Sequence, residues 1–192
     1  MKNLMVKGLI VCYFLILLSF TETEEWSETE KEKANTAAEV SYLNGEEKEL
    51  ILYLNLARLY PKKYAELELV KEENKNTLYY KSLKKTLEAM DPVGALEPDA
   101  ELSKTADCLR KDMYRFRYSN HTRVTCKGDY NGECLSFGWL TGAGHILNLL
   151  VDEGIKDLGH RKIMLAKGYK TIGTAVGKHH KYEESAVLDF GL

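Results

Sequence analysis

Leu149-Leu150-Val151-Asp152-Glu153-Gly154-Ile155-Lys156-Asp157-Leu158-Gly159-His160-Arg161 decides how this chain is read. An apolar run that closes on two carboxylates and a glycine is a helix exit, and Gly-His-Arg follows directly. Anions are unfavourable at the C-terminal end of a helix, where the macrodipole is negative. Acids placed there call for a function or a cationic partner. Upstream, His121 and Glu133 offer a second imidazole and a second carboxylate. If the fold unites His121, Glu133, Asp152 and His160, they form a metal-binding or acid/base cleft. Two neutral imidazoles with carboxylates or water suit zinc or a similar divalent ion. The alternative is that each histidine satisfies a local backbone hydrogen bond.

Outward from this stretch, the spacing predicts a helix from about Thr141 to Asp152, carrying Ile146, Leu147, Leu150 and Val151. A clearer one starts at Pro98 or Asp99, where Leu102, Ala106, Leu109, Met113 and Phe116 make one stripe. It fades at Tyr118-Ser119-Asn120, so His121 falls just past its end. Between the two, Thr122 to Gly138 reads as turn-rich. Glu46 to Leu59 is a helix with an acidic first turn, and Pro61 breaks the chain and opens a short second one. Lys71 to Met90 reads as loop plus an exposed helix, and Asp91-Pro92-Val93-Gly94 as a turn. After Arg161 the period becomes two: Tyr169 to Gly177 and Ser185 to Phe190 are strands, with His179 to Glu184 as the hairpin loop. Helices first and strands last give an α+β fold.

Residues 1–20 combine Lys2 and Lys7 with an apolar run from Gly8 to Phe20, the pattern of a signal peptide. The cleavage site is poor, which leaves an uncleaved anchor as the alternative and the only expected membrane contact. Residues 21–45 carry Glu22, Glu24, Glu25, Glu28, Glu30 and Glu32 and read as an acidic, disordered spacer. Lys and Arg total 27 against 29 acids, a formal charge of −2 with no basic stripe, so nucleic acid is not an expected partner. Past the signal stand Cys108, Cys126 and Cys134. In an exported chain this means one bridge at most and one free thiol. The turn-rich loop between Cys126 and Cys134 favours their pairing, with Cys108 a buried thiol on a helix.

Other polar residues have ordinary explanations. His145 reads as a groove or surface residue, and His179-His180 as solvated. Glu153 competes with Asp152 for the acid role. Arg123 and Arg161 fit structural salt bridges. Cys134 with His160 as base is a nucleophile alternative without a papain-like motif. His-Glu-x-x-His, Gly-x-Ser-x-Gly and phosphate-binding glycine loops are all absent.

Together these residues resemble the CAP superfamily: cysteine-rich secretory proteins, antigen 5 and plant pathogenesis-related type-one proteins, with the SCP-like extracellular branch. Leu149 to Ile155 followed by Leu158-Gly159-His160-Arg161 is similar to that branch's apolar run, Asp-Asp-Gly-Val and Arg-Gly-His-Arg. Gly132-Glu133-Cys134 resembles the Gly-Glu-Asn motif. Asn55-Leu56-Ala57-Arg58 and Pro61-Lys62-Lys63-Tyr64-Ala65 resemble the opening helix and the segment after it. Leu102 to His121 and Ile172 to Phe190 resemble the helix ending near a histidine and the final hairpin. The resemblance covers residues 46–192. It implies an α–β–α sandwich with a central antiparallel sheet and a cleft of His121, His160, Glu133 and Asp152. Cys134 departs from the motif asparagine, the loop after His121 is short, and Asp152 stands where better-known members have Glu.

The resulting expectation is a secreted or cell-envelope module, non-enzymatic, whose cleft binds a divalent metal such as zinc. Its ligand would be a small apolar molecule, a lipid or sterol, or a partner protein. A metal-dependent hydrolase using the same tetrad, and an interaction domain with a vestigial polar cluster, are the alternatives.

Overall fold

The computed structural model describes residues 25–138 and 140–192. The signal or anchor expected over residues 1–20 lies outside them, as do residues 21–24. In chain order the elements are α1 (Glu28–Ala34), α2 (Gly45–Leu59), α3 (Pro61–Leu67), a 3-10 turn (Leu69–Lys71), α4 (Leu78–Ala89), β1 (Glu97–Pro98), α5 (Ala100–Phe116), β2 (Gly132–Phe137), α6 (Gly142–Val151), α7 (Gly159–Met164), β3 (Thr171–His179) and β4 (Glu183–Gly191). The α+β reading holds. None of these helices is long and apolar enough to cross a membrane.

The sheet runs β1-β3-β4-β2. β4 pairs antiparallel with β3 on one side and β2 on the other. β1 adds to β3 in parallel through Glu97 and Pro98, so the sheet is mixed, not purely antiparallel as expected. β1 stays short because Asp99 leaves the strand to cap α5, its side chain accepting from the Leu102 N–H.

Alternation along the strands sends side chains to opposite faces. Ala175 and Val187 join Leu135 against Ala106, Leu109 and Met113 of α5. Ile172, Ala186, Leu188 and Phe190 face the larger core built on α2, α3, α4 and α6. Each fully buried aliphatic of this kind contributes about 1.5–3 kcal/mol. Two glycines let a helix backbone come close to another element. A Cβ on Gly173 would lie 2.1 Å from the α5 backbone, and one on Gly142 would lie 2.8 Å from that of α2.

Three expectations change here. Residues 25–45 are not a disordered spacer. Ser27 and Glu30 form a reciprocal capping box on α1. Ala34 and Ala37 are fully buried, and the Trp26 indole N–H donates to Glu68 at 2.6 Å. The charged face is solvent-exposed, while the alanine face is small enough to seat on α2. The disulfide joins Cys108 to Cys126, and among the described residues Cys134 is the free, buried thiol. The reason is strand alternation: Cys134 lies in β2 and points into the larger core, away from the loop carrying Cys126. The hairpin turn is also tighter than expected. His179 Nδ1 accepts N–H groups of Lys181 and Tyr182, each at 3.2 Å, and Glu183 takes φ 67°.

Two buried side chains hold the opening helices to the rest. Arg58 is fully buried and gives its guanidinium to the carbonyls of Gly94, Met164, Ala166 and Tyr169. Burial lowers it to about 10. Asn55 donates to the Ala34 and Leu96 carbonyls and accepts the Leu96 N–H at 2.8 Å. Both are staples of the fold.

Candidate metal cleft

β2 is an edge strand of the sheet, and the candidate residues approach it from both faces. On the α5 face, the chain leaves α5 through Arg117 in the left-handed conformation (φ 61°) and returns toward β2 through His121 and Arg123. On the other face, α6 ends at Asp152, itself left-handed at φ 60°, and α7 begins beside His160. His121, Asp152 and His160 line one cleft of about 370 Å³, with Leu135, Phe137, Leu149 and Ile155 as its apolar wall. That lies within the range of small-ligand pockets, about 300–1,000 Å³.

The four expected residues form two matching pairs. His121 Nδ1 donates to Glu133 Oε1 at 2.7 Å, and His160 Nδ1 donates to Asp152 Oδ1 at 2.7 Å. Ionised carboxylates only accept, so each imidazole carries a proton on Nδ1, and in the neutral ring this tautomer leaves the Nε2 lone pair free. Glu133 and Asp152 are nearly fully buried, His160 is partly covered, and the His121 ring is 54 % exposed. The pairs do not merge: among the described residues, no three of these four have ligating atoms mutually within 4.8 Å. The carboxylates therefore orient the imidazoles, and do not complete a compact four-donor cage. Carboxylate–imidazole pairing of this type tunes and aims metal-binding histidines.

Each pair has its own support. Asp152 Oδ2 also accepts the Arg161 N–H at 3.3 Å. The Arg161 side chain turns elsewhere, giving Nε to Leu150 O and Nη2 to Val151 O, both at 2.7 Å. It caps the last carbonyls of α6, so the acid at the helix exit sits beside the positive charge that its position requires. Arg161 is thus a helix cap more than an ion-pair partner. Glu153, exposed in the turn, makes no hydrogen bond to either imidazole.

Behind Glu133 lies a buried network that includes a residue the sequence reading passed over. Arg123 binds Glu133 and reaches Asp189 Oδ2 at 2.9 Å, while its Nη1 donates to Thr105 O at 2.8 Å. Thr105 Oγ1 donates to Asp189. Asp189 is fully buried, and desolvation, with Glu133 close by, pushes its carboxyl up to about 7. The available signal was a lone acid inside Ala186-Val187-Leu188-Asp189-Phe190. The same loop is fastened to α5 by the disulfide and by Asp112, which accepts N–H groups of Val124 and Thr125 at 2.6 and 2.8 Å. Cys108, Cys126 and Asp112 lie close together, but the two sulfurs are bonded to each other and Asp112 is committed to the loop.

The secondary candidates are also placed. His145 is fully buried, not a groove or surface residue, with Nδ1 2.8 Å from Ser136 Oγ and Nε2 unpartnered. Burial lowers it to about 4. His179 is buried too, not solvated: with Nδ1 accepting from the turn, Nε2 donates to Tyr118 O at 3.2 Å and meets Ser119 Oγ at the same distance. It ties the hairpin to the segment leading into His121. Cys134 Sγ faces the backbone oxygen of His160 at 3.9 Å, not the imidazole, and burial pushes the thiol well up. That removes the Cys-His nucleophile. No protein-family model matches this chain, and no curated protein matches it in sequence.

Proposed function

We propose that this chain is an exported, non-enzymatic CAP/SCP-like module. In this reading its cleft offers the Nε2 atoms of His121 and His160 to a divalent ion, with zinc best suited to the donors. The observation that carries it is the duplicated geometry: two imidazoles, each held through Nδ1 by a buried carboxylate at 2.7 Å, lining one cleft. A polar cluster kept for packing alone has no need to leave both Nε2 atoms unpartnered at a cleft. The donor chemistry fits zinc, since neutral imidazole backed by carboxylate is a common zinc ligand. With only two protein donors, water or a bound ligand would fill the rest of the coordination sphere, so modest affinity is expected. Bound zinc would supply a Lewis-acid contact for a carbonyl or anionic group.

The helices on both sheet faces support the α–β–α sandwich of that family, and the Cys108–Cys126 bridge suits an oxidising compartment. The apolar wall of Leu135, Phe137, Leu149 and Ile155 favours a small apolar or lipid-like ligand. Hydrolysis has less support, because Glu133 is committed to His121 and Arg123 and is not available as a base.

Zinc titration by calorimetry tests the reading. The wild-type protein is expected to bind one zinc ion, and His121→Ala/His160→Ala to bind none while keeping its fold. Equal, negligible binding by both would sink it and leave a hydrogen-bonded polar cluster.

A further inference from the structure

Beyond the cleft, a second concavity of about 520 Å³ opens where the β3–β4 turn meets the end of α5. Its charged lining is one-sided. Arg115 and Arg117 come from α5 and its cap, Lys178 from β3 and His180 from the turn, with Glu183 the sole carboxylate. None of the three cations has a carboxylate oxygen within 4 Å among the described residues, although the chain as a whole is net negative. All three are exposed, and Tyr114, 51 % exposed, supplies a flat aromatic edge.

The helix dipole explains part of this, because cations at a helix C-terminus are favourable there. It accounts for Arg115 and Arg117 but not for Lys178 or His180, which arrive from a different element. His179 holds that element in place by binding Tyr118 O and Ser119 Oγ. The cations therefore stand on two elements locked together, and not on mobile tails. His180 Nδ1 is buried here without a partner.

We infer that this pocket binds a compact polyanion: a saccharide-sized molecule bearing several sulfate or phosphate groups. Charge complementarity selects the ligand, since planar guanidinium groups pair with such oxyanions through parallel hydrogen bonds. Size and shape exclude a duplex. The cations fill one concavity and do not extend as a stripe, and the acidic remainder would repel a long polyanion. An aromatic side chain beside cations also suits the apolar face of a sugar ring.

The test uses the purified chain with sucrose octasulfate, inositol hexakisphosphate, and vesicles of phosphatidylcholine with or without phosphatidylglycerol. Wild type is expected to bind the two soluble polyanions with a salt-dependent affinity and a rise in melting temperature. Arg115→Glu/Lys178→Glu is expected to bind at least about tenfold more weakly. Lys81→Glu/Lys85→Glu on α4 changes net charge equally and is expected to bind as wild type does. So is His121→Ala/His160→Ala, which separates this site from the metal cleft. Equal weakening in both charge-reversal variants, no binding by wild type, binding to anionic vesicles alone, or equal binding of a DNA duplex would each overturn the inference. Circular dichroism confirms that the exposed substitutions leave the fold intact.

Discussion

His145 shows how far one buried side chain can control pH behaviour. Its ring lies between α6 and β2, with Nδ1 on Ser136 Oγ and no partner for Nε2. Burial without a second partner disfavours the charged ring and lowers it from 6.5 to about 4. The unfolded chain therefore takes up a proton in a range where the folded chain does not. Stability from this group is full above about 6.5 and is lost as pH falls toward about 4, on the order of 3 kcal/mol in all. Over the same range Asp189, its carboxyl raised by burial, takes up a proton first in the folded chain and works in the opposite direction. The His145 share is therefore read as the difference in urea unfolding between wild type and His145→Gln, which should shrink as pH falls. An unchanged slope in the variant would place the acid sensitivity in another group. The sequence could not indicate this. His145 sits in a helix rich in small and apolar residues, and periodicity does not tell a core histidine from one lining a groove.

At the scale of elements, the loop between α5 and β2 decides whether His121 is in position. It has no regular structure and depends on attachments: the Cys108–Cys126 bridge, the Asp112 carboxylate, Arg123 on Thr105 and Asp189, and His179 on Tyr118. The α6–α7 corner that carries Asp152 and His160 needs no such clamp, because Arg161 binds the end of α6 directly. Cys108→Ser/Cys126→Ser should therefore affect the two halves of the cleft unequally. The bridge spans a sequence separation of 18, so about 3 kcal/mol of stability should be lost. In imidazole NMR spectra the His121 signals should broaden while those of His160 persist. Equal broadening would mean that the halves are coupled.

This asymmetry also separates what the sequence revealed from what it did not. Leu149 to Arg161 is local: helix, corner and imidazole adjoin along the chain, so spacing alone predicts their meeting. The final hairpin was legible for the same reason, and the pairing of His160 with Asp152 is local too, whereas that of His121 with Glu133 crosses a turn-rich loop that no spacing rule fixes. Cys108–Cys126 and Asp189 depend on which way a strand residue points after a turn-rich stretch. Over residues 25–45 the dense acidic charge masks the Ser27–Glu30 capping signature and the small Ala34–Ala37 face, so composition alone predicts disorder there.

For the whole molecule, the cleft straddles the free edge of β2, with one imidazole from each side of the sheet. An ion held by both would link the α5 loop to the α6–α7 corner and would bind only the folded chain. Linkage then requires stabilisation that grows with free ion, about 2.7 kcal/mol at a hundredfold excess over Kd. The thermal midpoint of wild type should rise with zinc and fall back on chelation. Either single variant, His121→Ala or His160→Ala, should lose most of that shift, because two donors from opposite faces cannot substitute for each other. If His160→Ala abolished the shift while His121→Ala left it whole, the ion would belong to the α6–α7 corner alone. The two-sided cleft would then be a ligand pocket and not a metal site.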